Sequence, residues 1–509
     1  MSHRRKILIV IGIAVCAIIS LPIVHHYQLR FALAKYIADV RAKGEPMDLD
    51  QVIPPPIPVE QDGVPFISNS LTNLVHRNLI QTNPPPAMGM VAAGRAMIGW
   101  QQPDIRNSDA TNSWEDLGRE LALVKTKLDS FQNLTNHQSL DFHFDYKKGL
   151  WIPLGHLYPL RGAAEWLKAS VLYDLHERRT SDACAKLRAL LAIAKGLSEE
   201  RFGISQITRN TIVEFGVYAT WEILQDQAIS ENDLARLQQD WETLEFVRPF
   251  RCAQILDRVI LISGVEHVRE TTNVLWQVNG GDEIPNLWFE KQWDWFWSYT
   301  DEKRALQIQQ VLIDAARMAE TNHSYHSVLS FVSARFLKLG IGKPVSEDLI
   351  GRMDIDPSET RWLLSEGARG NVWHLRKSVA AETDRSMIMA AIALKRYQLR
   401  NQRLPGTLQE LIPVFLKVVP IDWMDGEPVR YHLINSKTFR LYSVGQNGDD
   451  DGGNPSPENP ANGPRLNWNG FYALDWVWPQ PATPEEIQKY HADQASRHVN
   501  HSTGKKAVH

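Results

Sequence analysis

Apolar residues recur at three- and four-residue steps through most of the chain between residues 113 and 400, and this spacing is typical of amphipathic helices. Ser113 followed by Asp116 predicts a capping pair at the start of the first helix. Two later helices should pack as a hairpin around a turn at 178–182, because neither can bury its apolar stripe alone. The two stripes are Leu160, Ala163, Ala164, Leu167, Val171 and Leu175, and Ala183, Leu187, Leu190, Leu191, Ala194 and Leu197.

Four further stripes, at residues 207–224, 231–244, 253–268 and 305–339, predict more helices. No fixed 34-residue period links them, so we predict a helical hairpin bundle or an irregular solenoid at residues 113–382. Helical surfaces of this kind often bind proteins or peptides.

The pattern changes near the carboxyl end of the chain. A helical stripe at residues 383–400 is followed, after Pro420, by two short stretches in which apolar and polar residues alternate around a turn at 435–437. These features predict one helix laid across a small antiparallel sheet. With the helices before it, the chain belongs to the α+β class. The residues concerned are Met387, Ile388, Ala391, Leu394 and Tyr397, then Val429, Tyr431 and Leu433, then Phe439, Leu441 and Ser443.

Residues 383–479 carry an ordered set of motifs: ALKRYQLRNQRLP at 393–405, LQELIPVFL at 408–416, a Pro-Ile-Asp corner at 420–422, DGEPVRY at 425–431 and LYSVG at 441–445. This set resembles the carboxy-terminal half of the major pseudopilin of type II secretion systems. Pseudopilins carry that unit directly behind a processed amino-terminal helix, whose typical start is not found before or within the run 7–24. The resemblance therefore implies a borrowed module.

An acidic, glycine-rich loop follows the LYSVG motif. Its oxygen-bearing side chains stand at positions one, three, five and twelve, with Gly452 at six, which is the ligand spacing of a twelve-residue calcium loop. The resemblance also implies calcium, because pseudopilins bind this ion in the matching loop. The alternative is a solvated turn that closes a hairpin, since Pro455 and Pro457 fall where an EF-hand would begin its exit helix. The candidate ligands are Asn447, Asp449, Asp451 and Glu458.

The amino terminus combines a basic cluster at 3–6 with an apolar run at 7–24, which predicts an export signal. We expect an uncleaved signal anchor at residues 1–30, with a cleaved signal as the rival interpretation. Residues 31–112 should form a helical neck ending at Gly44, a proline-rich stalk and an irregular segment. The polar tail at 480–509 is predicted to be disordered. These assignments place the chain in the inner membrane as a single-pass protein, with its bulk in the periplasm or outside.

Composition narrows the classes of partner. The net charge is −4 and charged residues make up 22% of the chain, so nothing favours a nucleic-acid partner. The three cysteines show no metal-ligand spacing. We found no phosphate-binding loop, dinucleotide fingerprint or nucleophile motif, and no small-molecule substrate is identified.

A second candidate metal site consists of Glu320, His323 and His326, which would share one face of a helix and could present a divalent ion. It supports an alternative function, an exported metal-dependent hydrolase. The simpler interpretation is polar surface decoration.

A cluster of aromatic residues lies at residues 288–297. Such rings fill gaps between helices, or they form a contact surface for sugars or lipid headgroups. The cluster contains Trp288, Phe289, Trp293, Trp295, Phe296 and Trp297.

Taken together, these patterns predict a membrane-anchored cell-envelope protein that is non-enzymatic. Its expected partners are the membrane, through the amino-terminal helix, and envelope or secretion proteins.

Overall fold

The computed structural model describes residues 3–71, 74, 79–106, 110–137, 139–271, 287–341, 362–458 and 473–504. These residues form a mainly helical body with small sheets, which confirms the α+β class. Most of the apolar core is one cluster that runs from the first helices of the body into the carboxy-terminal module.

A single long helix, α1 (His3–Ala42), opens the chain. It ends as predicted just before Gly44, which adopts a φ of +85°. Glu45 then ties the end of α1 to the body by accepting hydrogen bonds from Arg317 at 3.0 Å and from Arg258 at 3.4 Å. Within the described part of the chain, no helix combines the length and the apolar character that a membrane span requires.

The segment after α1 wraps the surface of the body in short elements. It contains α2 (Val64–Leu71), α3 (Leu79–Thr82), and the strands β1 (Gly89–Ala92), β2 (Arg95–Met97), β3 (Ile105–Arg106) and β4 (Thr111–Asn112).

A buried carboxylate, Glu222, fastens this segment to the body. It accepts hydrogen bonds from the backbone N–H groups of Met88 at 2.6 Å and Gly99 at 3.0 Å. Gly99 approaches so closely that an added Cβ would lie 1.8 Å from the carbonyl oxygen of Pro86.

The body begins with six helices: α4 (Trp114–Ser130), α5 (Leu157–His176), α6 (Thr180–Gly196), α7 (Gly203–Leu224), α8 (Glu231–Glu242) and α9 (Val247–Glu270). Ser113 and Asp116 form the predicted capping box at the start of α4. The predicted hairpin is also confirmed, because α5 packs against α6 and both apolar stripes are buried.

Four more helices complete the body: α10 (Leu287–Phe296), α11 (Ser298–Asn322), α12 (Tyr325–Lys338) and α13 (Leu363–Asn401). The helix predicted to start at 383 starts at Leu363, so the expected boundary between 382 and 383 lies inside α13. The reason is a cap from another helix, because Asp301 accepts the N–H groups of Leu364 at 2.9 Å and Ser365 at 3.0 Å. Body and module therefore share α13.

The module lays a three-stranded antiparallel sheet against α13. Strands β5 (Arg430–Leu433) and β6 (Phe439–Ser443) form the predicted hairpin, with Tyr431 opposite Leu441. A third strand, β7 (Trp476–Val477), pairs with the end of β6.

The carboxyl end of the chain returns to the body. Strand β8 (Gln480–Pro481) pairs in parallel with β2, and α14 (Pro484–Gly504) follows. The prediction of a disordered tail is therefore wrong for most of residues 480–509. Thr483 and Glu486 cap α14 reciprocally, and Glu486 forms an ion pair with Arg95 at 3.0 Å.

Glu222 gives the fold a testable dependence on pH. Burial raises the pKa of Glu222 to about 8, and the backbone N–H groups that it accepts offset only part of this effect. A raised carboxyl pKa favours the folded state at low pH, and this contribution is lost as the pH rises from about 4.5 through about 8.

Glu222→Gln stays neutral at every pH. The free energy of unfolding of the unmodified chain should therefore fall relative to the variant between pH 5 and pH 9, by on the order of a few kcal/mol. Denaturant titrations at each pH measure this difference. The exposed Glu60→Gln is the control, and a pH-independent difference for Glu222→Gln would contradict the prediction.

Candidate functional site

The acidic loop follows β6 directly, and the structure brings three of its four predicted ligands together. The Asn447 Oδ1 accepts a hydrogen bond from the N–H of Asp449 at 3.3 Å, and the Asn447 Nδ2 donates to the Asp451 Oδ2 at 3.3 Å. Gly448 and Gly452 adopt φ values of +76° and +72°, which let the loop reverse twice within these few residues. The turn presents one amide and two carboxylates on an exposed rim.

The fourth predicted ligand, Glu458, is exposed and lies beyond the bridge that pairs Pro457 with Ala473. In the described part of the chain, no contact joins it to the other three. Likewise, no group of three or more His, Cys, Asp or Glu side chains among the described residues could hold a metal ion. The oxygen atoms available for an ion are thus those of Asn447, Asp449 and Asp451, with backbone carbonyls.

Asp475, which the sequence analysis missed, holds the acidic loop in shape. Its buried carboxylate accepts the N–H groups of Gly453 and Asn454, each at 2.8 Å, and that of Asp451 at 3.4 Å. Burial raises the pKa of Asp475, while these N–H groups pull it down. A carboxylate within the apolar stretch LDWVW, at 474–478, is the signal that could have identified it.

A second buried carboxylate, Asp422, organises the sheet end of the module. It accepts the N–H groups of Met424 and Val444, each at 3.0 Å, and the Oγ–H of Ser443 at 2.8 Å. The Arg430 guanidinium donates to it at 2.9 Å. Burial raises the pKa of Asp422 to about 6.

Arg430 extends this network towards the acidic loop. It also binds Asp425, and its Nε lies 3.8 Å from a carboxylate oxygen of Asp450. Asp450 in turn accepts the Oη–H of Tyr442 at 2.9 Å. The charges beside the acidic loop are therefore already joined by hydrogen bonds and ion pairs.

The second candidate metal site does not assemble as predicted. Helix α11 ends at Asn322, His323 adopts the left-handed conformation with a φ of +53°, and His326 belongs to α12. The expectation of one shared helix face is therefore wrong. The physical reason is a helix end that the three-residue spacing concealed. Glu320 instead pairs with Arg251 at 2.7 Å.

The corner between α11 and α12 serves as the docking point of the module. The N–H groups of Tyr325 and His326 donate to the carbonyl oxygens of Trp423 at 2.8 Å and Met424 at 3.1 Å. The imidazole of His323 lies against the ring of Trp423, with a centroid distance of 4.5 Å. These contacts fix the module to the far end of α11.

A groove of about 560 Å³, here called the seam groove, lies where the module meets the body. Helices α8 and α13 form one wall, and the segment 413–421, which is built mainly of turns and bends, forms the other. Val414 and Val418 on that segment are 59% and 69% exposed. The Nε2 of Gln238 donates to the carbonyl oxygen of Phe415 at 2.6 Å and holds the segment in place.

The charged residues around the seam groove already have partners. Three ion pairs surround it: Arg385 with Glu382 at 3.0 Å, Arg396 with Glu231 at 2.6 Å and Lys417 with Glu242 at 2.5 Å. A ligand in the groove would therefore meet apolar side chains, and the three cations Arg385, Arg396 and Lys417 are already paired with carboxylates.

A smaller cavity of about 160 Å³ lies between α7 and α13, under Trp476. Glu214, Lys377 and Asp384 line it, and the Lys377 ammonium lies 4.9 Å from the ring centroid of Trp373. Burial lowers the pKa of Lys377, while the two carboxylates raise it. The chain thus supplies both signs of charge inside this cavity.

The aromatic cluster at 288–297 divides between core and surface. Trp293 is buried, and its Nε1 donates to Asp301 at 3.3 Å. Trp295 and Phe296 are exposed. The side chains of Trp288 and Phe289 lie outside the described residues.

Comparisons with protein-family models, with curated proteins and with solved structures found no match to this chain.

The role of Asp475 can be tested by truncation. Asp475→Ala leaves buried N–H groups without an acceptor, which should lower the free energy of unfolding by about 1–3 kcal/mol. Asp449→Ala removes an exposed carboxylate of the same loop and should change it by less than about 0.5 kcal/mol. Denaturant titration measures both variants, and equal effects would contradict the assignment.

Proposed function

We propose that this chain is a membrane-anchored cell-envelope protein that binds another envelope protein and is not an enzyme. The observation that carries this proposal is the division of α1 into two halves. Its first half exposes apolar side chains, whereas its second half packs on the body and buries Leu33 and Val40. The exposed apolar side chains include Ile9, Val10, Ile11, Ile13 and Leu21.

The energetics of exposure support the anchor. Fully burying an aliphatic side chain is worth roughly 1.5–3 kcal/mol, so a row of such side chains on one helix favours an apolar surrounding. The apolar run at 7–24 would extend about 27 Å as a helix, close to the roughly 30 Å of a bilayer's hydrocarbon core. The likeness of the module to pseudopilins favours the inner membrane, with the bulk of the chain outside the cytoplasm.

The seam groove is the proposed partner site. Its exposed valines suit a peptide segment with apolar side chains. Because the cations around it are already engaged in ion pairs, a strongly charged peptide would gain little there. We therefore assign it a weakly charged, apolar segment of an envelope or secretion protein.

Calcium is the proposed ligand of the acidic loop. Carboxylate, amide and backbone oxygens are the donors that calcium prefers, and Asn447, Asp449 and Asp451 offer them within one turn. The ion would neutralise the two carboxylates and stiffen the rim of the module. Glu458 could join only if the chain beyond Pro457 turned back towards the loop.

The anchor can be tested in isolated membranes. The full-length chain should stay in the membrane fraction after alkaline carbonate extraction, because apolar burial in lipid does not depend on charge. Ile9→Asp together with Ile13→Asp should release most of it, since each aspartate costs about 2.5–3.5 kcal/mol within a bilayer. The matched control is Leu123→Asp, at an exposed apolar position on α4. Complete extraction of the unmodified chain would sink the proposal.

The partner site can be tested in the same membranes with a photoreactive phenylalanine at position 418 and, as control, at position 123. We expect a discrete cross-linked protein from position 418 only. Equal yields from both positions, or no adduct at 418, would reject the seam groove as a partner site.

Calcium binding can be tested by thermal unfolding. An ion that binds only the folded chain stabilises it by about 2.7 kcal/mol at a hundred times its dissociation constant, so calcium should raise the melting temperature. Asp449→Asn and Asp451→Asn should each abolish the rise, whereas Glu427→Gln, an exposed carboxylate elsewhere in the module, should keep it. An unchanged melting temperature for the unmodified chain in excess calcium would refute the site.

A further inference from the structure

Five exposed aromatic side chains, here called the aromatic collar, lie on α1, at the junction of α10 and α11, and before α5: Tyr27, Phe31, Trp295, Phe296 and Trp151. Exposed aromatic rings in such number are unusual on a surface that faces only water. Tyr27 and Phe31 are the most exposed members, at 60% and 71%.

Contacts between four helices bring the collar together. The imidazole of His26 on α1 stacks on Trp295 with a centroid distance of 4.3 Å, and its Nδ1 donates to the carbonyl oxygen of Trp295 at 2.9 Å. The same imidazole lies edge-on to Tyr299 at 5.2 Å. The Arg269 guanidinium, at the end of α9, lies 4.0 Å from the centroid of the Tyr299 ring.

Trp151 joins the collar through α9 as well. Its ring packs edge-on against His267, with a centroid distance of 4.8 Å. The end of α9, the end of α10, the start of α11 and the middle of α1 therefore meet in one place.

The position of the collar along α1 indicates what covers it. The apolar run ends at Val24, and Tyr27 and Phe31 follow it by three and seven residues, which is about 5 and 10 Å along the helix axis. A bilayer's headgroup layer is about 5–8 Å deep, so Tyr27 lies within it and Phe31 at its outer edge. Trp and Tyr are enriched in this layer because their rings are apolar and their edges polar. Arg30 and Lys291 are exposed beside the collar and would face anionic lipid.

Helix α11 connects the collar to the module. It starts at Ser298 beside the collar and ends at Asn322, against which Gly426 packs so closely that an added Cβ would lie 2.8 Å from the Asn322 carbonyl oxygen. Its 25 residues span about 37 Å.

The second half of α1 runs along α11 in the same direction. His26 contacts Trp295 near the start of α11, and Glu45 binds Arg317 near its end. Two parallel helices thus extend from the collar to the far end of the body.

We propose that the aromatic collar lies in the lipid headgroup layer and orients α11 away from the membrane surface. The module would then lie about 37 Å from the lipid, which is the length of α11. The proposal rests on the proposed membrane anchor and adds an orientation to it. The acidic loop and the seam groove would then face away from the membrane, towards a partner that does not itself contact this lipid surface.

Spin labels on the full-length chain test the orientation. The protein is reconstituted in vesicles of phosphatidylethanolamine and phosphatidylglycerol, with Cys16 and Cys252 replaced by serine. Labels are attached at Phe296→Cys or Tyr27→Cys in the collar, at Leu123→Cys as an exposed apolar control, and at Glu427→Cys beside the end of α11.

Oxygen, which concentrates in lipid, and a water-soluble nickel chelate report the depth of each label. Both collar labels should favour oxygen over nickel at headgroup depth, whereas the labels at 123 and 427 should favour nickel. Energy transfer from a dye at 427 to dyes on lipid headgroups should give a separation of roughly 35–45 Å.

The possible outcomes distinguish a failure of the collar proposal from a failure of the anchor proposal. Collar labels that collide freely with nickel, on protein that resists carbonate extraction, would overturn the collar and leave the anchor standing. Extraction of the protein would instead reject the anchor. Collar labels shielded from both reagents and broadened by a second label nearby would identify a second copy of the chain as the occupant, and would also overturn the proposal.

Discussion

Buried carboxylates that accept backbone N–H groups hold the connecting segments of this protein to its helical core. Glu222 holds the surface-wrapping segment at Met88 and Gly99, and Asp301 caps the start of α13. Glu382 accepts the N–H of Phe246 at the start of α9. In the module, Asp422 and Asp475 hold the turn after Pro420 and the acidic loop. Each joint would otherwise leave buried N–H groups without acceptors, at a cost of about 1–3 kcal/mol apiece.

This arrangement has an electrostatic consequence. Removing a carboxylate from water disfavours its charged form, so burial raises the pKa values of Glu222, Asp301, Asp422 and Asp475. The N–H groups that they accept offset part of that cost. A few acidic side chains thus lose their hydration, and their hydrogen bonds fix several long loops in place. The body and the module share one continuous apolar core. A continuous core would allow the proposed anchor to set the position of the proposed binding surface.

Local patterns in the sequence predicted the local structure well. The paired stripes of α5 and α6, the cap at Ser113 and the hairpin of β5 and β6 depend on residues near one another, and periodicity detects them. The start of α13 was missed because its cap, Asp301, lies far away in sequence. The helical tail α14 was missed although its capping pair, Thr483 and Glu486, is local, because the segment is polar and shows no apolar stripe.

In the candidate site, too, the features that depend on nearby residues were predicted and those that depend on distant residues were missed. Spacing brought Asn447, Asp449 and Asp451 into one turn, but it placed Glu320 and His326 on a helix face that they do not share. The residues that organise the site, Asp422 and Asp475, bind partners up to 24 residues away, and the joint residue Glu222 binds one 134 residues away. A single carboxylate in an apolar stretch was the only local sign of them.

Native-state hydrogen exchange tests the role of the buried carboxylates most directly, because it measures the exchange rate of each backbone amide that they bind. The amides of Gly99, Leu364, Val444 and Gly453 are each bound by a buried carboxylate and should exchange as slowly as those of the α5–α6 hairpin. Exchange of these four amides at the rate of exposed loop amides, while the hairpin stays protected, would show that the carboxylates do not hold the segments and would contradict the account.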